Sequence, residues 1–218
     1  MERLEALLQE FYSPQGGDTQ RKLAIEAELV QWRESPGALG AAVSVLGLAS
    51  EEGGAGSNSS SPYLQYFSAM VLEESVRKRW HTLDPGAQAY LRQGVLRRLV
   101  GAEAQTGPPL EPFVAAKLQK LVVDVAMVGG WPHAWPTLLP DIRQLSQSPQ
   151  SYRTGLALLA CFAEELARED LPVPAARRAE LRQAFTSELP GVVELLSALL
   201  THAHVPTASA PEVGREVV

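Results

Sequence analysis

Few side chains in this sequence have the types and spacing for chemistry. Glu73–Glu74 and Glu164–Glu165 are adjacent carboxylates. Neighbours on a helix point about 100° apart, so neither pair can act as an acid and a base on one atom. His202 and His204 are two positions apart and would not face one metal ion from a helix. His81 and His133 have no Cys, Asp or Glu at ligand spacing. No G-x-x-x-x-G-K-[ST] phosphate loop and no G-x-S-x-G nucleophile turn occurs. Cys161, the single cysteine, sits in the apolar run "LALLACFAEEL" and reads as a small core residue. The basic run "RKRW" at 77–80 suits a helix C-terminus, where cations complement the dipole. These residues imply no catalytic site, no metal and no cofactor, and they shift attention to surfaces.

The bulk properties agree. The chain has 218 residues, 45% of them apolar and 20% charged, with a formal net charge of −6. That charge argues against a nucleic-acid binder, which needs surplus Lys and Arg to displace counterions from phosphates. It suits a partner with a basic surface. One cysteine makes no internal disulfide, which fits a reducing compartment. The start "MERLEALLQEFY" carries acids and no long apolar core, so no signal peptide is expected. Uninterrupted apolar runs fall short of the roughly 20 residues of a bilayer span, and no membrane is expected.

Helical periodicity dominates the chain. "ERLEALLQEFY" places Leu4, Leu7, Leu8 and Phe11 on one face. Asp18 caps a second helix to about Arg33, with Leu23, Ala27, Val30 and Trp32 as its expected apolar side. Residues 36–49 form a small-residue helix. The stretch 50–61, "SEEGGAGSNSSS", is an expected flexible loop. Ser61 and Pro62 open a helix to Trp80, Asp84 and Pro85 open another, and Pro112 opens a third that stops at Gly129–Gly130. A helix follows to about 146, then one over 151–168, then a last region over 174–204 that Pro190 should bend. Residues 205–218 read as a disordered tail or a truncated continuation. The expected architecture over 1–204 is all-α, an α-solenoid of about five HEAT-type helical hairpins, in preference to a compact bundle.

"WPHAWPTLLP", 131–140, carries Pro132, Pro136 and Pro140 at steps of four behind Trp131 and Trp135. If the segment is helical, the three rings share a side, and Pro140 falls one turn inside, where it should bend the helix. The expected role is a wedge: a kinked entry pinned by two indoles that sets the angle between adjacent hairpins.

This stretch, with the preceding "VVDVAMVGG", resembles the WP-x-x-WP-x-L pattern in the N-terminal region of importin-β-type nuclear transport receptors, especially exportins. "YFSAMVLEESVRKRW", which ends in Trp80, resembles a second-repeat helix of that domain. "LEALLQEFYSP" and "KLAIEAELVQW" resemble its opening hairpin. "CFAEELARED" and "ARRAELRQAF" are most similar to the exportin branch that carries actin–profilin out of the nucleus. The sequence departs from the pattern at Gly130, at Glu74 and in the long glycine-rich loop. The resemblance implies a shuttling receptor of nucleus and cytoplasm with Ran-GTP, protein cargo and nucleoporins as partners. It also implies that the second helix of each hairpin faces the inside of a superhelix and grips Ran.

Helical phase then selects candidate residues. On 62–80 the expected core is Leu64, Phe67, Val71, Leu72, Val76 and Trp80, which leaves Tyr66, Met70, Glu73 and Arg77 for a partner. On 112–129 the expected core includes Phe113, Val114, Leu118 and Val125, with Lys117, Lys120 and Asp124 outside. A helical-repeat scaffold or adaptor with a different partner is the alternative reading.

Overall fold

The structure is a computed structural model that describes residues 1–13, 18–48, 60–170 and 173–203. The expected loop 50–61 lies almost wholly outside the described residues, as does the expected tail. Among the described residues there are nine α-helices and no strand: α1 (Glu2–Tyr12), α2 (Thr19–Glu34), α3 (Ala38–Val45), α4 (Pro62–Arg79), α5 (Pro85–Glu103), α6 (Pro112–Val128), α7 (Leu138–Gln147), α8 (Tyr152–Ala167) and α9 (Ala175–Ala203).

The starts are those the sequence marks. The Ser61 hydroxyl accepts from Leu64 N at 3.3 Å and the Asp84 carboxylate from Ala87 N at 2.9 Å, each followed by proline at the first helical position. Two ends use left-handed glycines. Gly47 (φ +67°) lets Leu48 N–H close onto Val43 O at 3.0 Å. Gly130 (φ +92°) lets Trp131 N–H close onto Ala126 O at 3.1 Å.

The helices pair as α1–α2, α3–α4, α5–α6 and α7–α8, and α9 follows. The second helices α4, α6 and α8 pack side by side in one row. This is the layered order of a HEAT-type solenoid, in which each pair shares its core with the next. α1 packs on α2 and also on α4, so the opening helix pairs with 18–33 and does not stand alone. α6 is the middle of the row: residues 121–127 are all buried, enclosed by α4, α5 and α8.

Two expectations are corrected. On α2 the buried side is Ile25 and Leu29, with Trp32 half-buried against Phe67. Leu23, Ala27 and Val30 are exposed. α2 carries two apolar stripes, and phase alone did not say which one meets α1 and α4. Second, 131–137 is a chain of turns, so the two tryptophans are not a helical turn apart and the three prolines do not share a helix face. The Trp131–Pro132 peptide is cis. α7 begins at Leu138, which puts Pro140 in its first turn, where the backbone N–H has no helical partner, so its ring breaks no ladder bond. α9 runs through Pro190 as one continuous helix. It is long and apolar enough to cross a bilayer by length and composition; Leu181, Val192 and Leu195 are buried, while Leu189, Val193, Leu196 and Leu200 are exposed.

The tryptophans are packed into the stack. Trp131 is 2% exposed and stands edge-on to Phe162 of α8, with centroids 5.0 Å apart. Phe162 in turn meets Phe185 of α9 at 5.7 Å. Trp135 is buried too. Trp80 fills the space over Gly129, where a Cβ would lie 2.8 Å from its ring. Two arginines bind the carbonyls left open at the end of α6. Arg92 donates to Gly129 O at 3.2 Å, and Arg177 of α9 donates to Trp131 O. At the other end of the layer, Glu103 of α5 accepts from Arg153 N and Thr154 N at 3.0 and 2.9 Å, which caps α8 from a neighbouring hairpin.

Two substitutions test this packing by thermal denaturation. Trp131→Ala should destabilise the chain by about 3–5 kcal/mol, which lowers the melting temperature by on the order of 10 °C. An unchanged melting temperature would contradict the wedge. Gly155→Ala places a Cβ 2.5 Å from Ser146 N and 2.8 Å from Ser146 Cα, and should cost about 1–3 kcal/mol by forcing α7 and α8 apart.

Candidate functional site

The outward stripes of α4 and α6 meet in one place. Glu73 and Arg77 are a turn apart on α4, while Lys117, Lys120 and Asp124 occupy successive turns of α6. The side-by-side packing of the two helices brings the stripes within contact, and α8 adds Glu165 and, just past its end, Arg168.

Ion pairs run from helix to helix. Lys117 bonds Glu73 across the α4–α6 boundary, and Arg77 reaches both Glu73 at 3.1 Å and Asp124 at 3.2 Å. Lys120 pairs with Asp124 at 2.5 Å and with Glu165 of α8 at 3.0 Å. Arg168 pairs with Glu165 at 3.5 Å and with Asp170 at 2.8 Å. On the far side, Glu74 joins Arg33 of α2 at 2.7 Å and Lys78 at 2.6 Å. Cations and carboxylates therefore alternate across four second helices.

Five of the seven predicted partner residues belong to this ladder: Glu73, Arg77, Lys117, Lys120 and Asp124. Tyr66 borders it, with the Lys117 ammonium 5.9 Å from its ring centroid. Met70 is half-buried and makes no polar contact. Asp124 is a correction, because it is 3% exposed and points into the row. Its neighbours Leu121, Val122, Val123, Val125 and Ala126 are buried on every side, so no outward position was open to it. Phe113 is the converse correction: expected in the core, it is 41% exposed. It sits in the first turn of α6, beyond the reach of α5 and α8, and lies against Tyr63 and Tyr66 at 6.1 and 5.6 Å. Tyr12 stacks on Tyr63 at 4.8 Å, which extends the aromatic row to α1.

Sequence reasoning missed Glu165 as a ladder member. The signal was present: Leu158, Phe162, Glu165 and Leu166 share one helical face, so this carboxylate was bound to be buried among apolar side chains.

Burial sets the electrostatics. Desolvation raises the Asp124 carboxyl above its ordinary 3.8, against the pull of Lys120 and Arg77. Desolvation also acts on Glu73, but the hydrogen bond and charge of Lys117 and the charge of Arg77 outweigh it and hold this carboxyl below 4.5. Burial pushes the Cys161 thiol to about 11, which leaves it protonated and unreactive at neutral pH. Among the described residues no group of three or more His, Cys, Asp or Glu could hold a metal ion. Each ladder carboxylate is clamped by cations, so the arrangement is suited to rigid presentation of a surface.

Comparison with known proteins gives the lineage. Residues 25–100 match the importin-beta N-terminal domain and residues 111–217 match the Exportin 1-like protein family. Exportin-6-A of Xenopus laevis is 30% identical over 213 residues, 95% of this chain and 17% of that protein. Exportin-6 of Homo sapiens gives the same identity and coverage. The chain belongs to the exportin family. It is an importin-β-like N-terminal region, similar to that of exportin-6. Exportin-1 of Schizosaccharomyces pombe is more distant, at 22% over 207 residues, 94% of this chain and 18% of that protein. The chain spans about a sixth of the length of these exportins.

The exportin ladder has a pH signature. Glu73 has a lowered folded pKa, so its contribution is present above its unfolded value of 4.5 and is lost as pH falls through the folded value. Asp124, raised when folded, runs the other way: its contribution is present below 3.8 and lost as pH rises. Glu73→Gln should cost about 1–3 kcal/mol near neutral pH. In urea titrations the gap to wild type should close as pH falls below about 4.5. A gap independent of pH would contradict the pairing.

Proposed function

We propose that this chain is the N-terminal part of a nuclear export receptor and that the α4–α6 stripe contacts the GTP-bound form of Ran. The observation that carries the reading is the unbroken row of second helices, on which Tyr66, Met70, Glu73, Arg77, Lys117 and Lys120 make one surface across the segments matched to the importin-beta N-terminal domain and the Exportin 1-like family. Buried Asp124 acts from beneath, by holding Arg77 and Lys120 in place. The receptor makes no bonds; its task is to couple two binding events, Ran-GTP and protein cargo, so that loss of one releases the other. By likeness to exportin-6, actin–profilin is the proposed cargo. Nucleoporins are proposed partners during passage, and the receptor shuttles between nucleus and cytoplasm.

A second reading, a helical scaffold with another partner, is favoured by one observation: the ladder charges already pair with one another. Pull-down with GTP-loaded and GDP-loaded Ran separates the two. The export reading predicts retention of the GTP form at least tenfold over the GDP form, and weaker retention by Arg77→Ala. Equal retention of both forms would overturn it in favour of the scaffold.

A further inference from the structure

α2 is apolar on two sides. Ile25 and Leu29 face the stack. On the opposite side Leu23, Ala24, Ala27 and Val30 follow one another at i, i+1, i+4 and i+7, and all are exposed, Leu23 by 59% and Val30 by 37%. A helix with an apolar stripe on each side is normally covered on both. Ala27, between Leu23 and Val30, floors a shallow hollow of about 430 Å³, with Glu26, Gln31 and Glu34 along its edges. That shape takes one large side chain of a helix laid across it, at the interaxial distance of about 8–10 Å that small residues allow.

The edges say what kind of helix. Of the arginines on α2, Arg21 is held by Glu10 and Arg33 by Glu74. Glu26 and Glu34, the charged residues of the hollow, have no ion-pair partner among the described residues. Lys22, one turn before Glu26, is the remaining cation of α2, so the open charges are two carboxylates against one ammonium and the edge is acidic on balance, on a chain of net charge −6. A second copy of this chain fits poorly: an antiparallel pairing that lays Leu23 over Val30 of the other copy brings the two Glu26 carboxylates together, like charges in contact.

We infer that the outer face of α2 is a docking site for a basic amphipathic helix of another protein, which inserts an apolar side chain between Leu23 and Val30 and sets Lys or Arg against Glu26 and Glu34. This is the helix-in-groove mode of recognition, with apolar anchors for affinity and charge for orientation. It lies on different residues from the α4–α6 stripe.

The test uses the full chain and synthetic peptides, read by fluorescence anisotropy. The probes are a helical peptide with leucines at i, i+3, i+4 and i+7 among lysines, a peptide of the same composition without that period, and the first with lysines changed to glutamates. The amphipathic lysine peptide should bind at least tenfold more tightly than either control. Leu23→Ser with Val30→Ser should weaken it tenfold or more. Glu26→Lys with Glu34→Lys should weaken it and admit the glutamate peptide. All four positions are exposed, so both double variants should keep the wild-type circular dichroism spectrum, and each serves as a check on the other. Equal binding of the three peptides, or unchanged binding by both variants, would overturn the site. So would a wild-type dimer in light scattering that the Leu23→Ser, Val30→Ser variant converts to monomer, which would assign the face to self-association.

Discussion

Everything in this structure hangs on the complete burial of residues 121–127 of α6. They have no solvent side, because α4, α5 and α8 each take one face. A helix enclosed in this way can carry a charge only if the charge is paired, since an isolated buried carboxylate is far too costly. Asp124 is that charge, and Lys120 and Arg77 are its partners. From this one requirement the rest of the ladder follows. Arg77 anchors α4 to α6, Lys120 links α6 to Glu165 of α8, and the row of second helices becomes stitched along its outer edge. Whether such a ladder adds net stability over apolar packing is a separate matter; its firmer effect is to fix the register of one helix on the next.

The first helices and the turns do the complementary work. The end of α6 is where the chain must leave a fully enclosed helix and start another layer. Gly130 supplies the left-handed residue, Trp80 and Trp131 fill the volume on either side, and Arg92 and Arg177 take up carbonyls that the helix leaves open. Aromatic filling and carbonyl clamping therefore join the end of α6 to α5, α8 and α9. A solenoid fixed in this way presents side chains from successive layers at defined spacing, which is what a binding surface for a large protein needs.

Much of the fold could be read from the sequence because the punctuation is strong. Ser61–Pro62, Asp84–Pro85 and Gly129–Gly130 each mark a helix end that the structure uses. Faces were harder. For α4 the apolar residues fall on one side, and the expected core Leu64, Phe67, Val71, Leu72 and Val76 is the buried one. For α2 two apolar stripes compete, and the choice depends on where α1 and α4 lie, which is long-range information. For α6 the polar residues were assigned to solvent by default. Asp124 showed that a lone acid within "LVVDVAMV" has no outward direction to take. In the Trp-Pro stretch, spacing by four suggested helix, but each proline favours extended backbone in the residue before it, and the chain takes turns until Leu138.

Native-state hydrogen exchange followed by mass spectrometry tests the enclosed helix most directly. If α6 is the centre of the stack, amides of 118–127 should exchange last, at a rate set by global unfolding, with α4 and α8 next and α2 and α9 first. Exchange of 118–127 as fast as that of α2 would show that α6 has an open side, and would remove the reason for the buried Asp124, for the ladder and for the surface built on it.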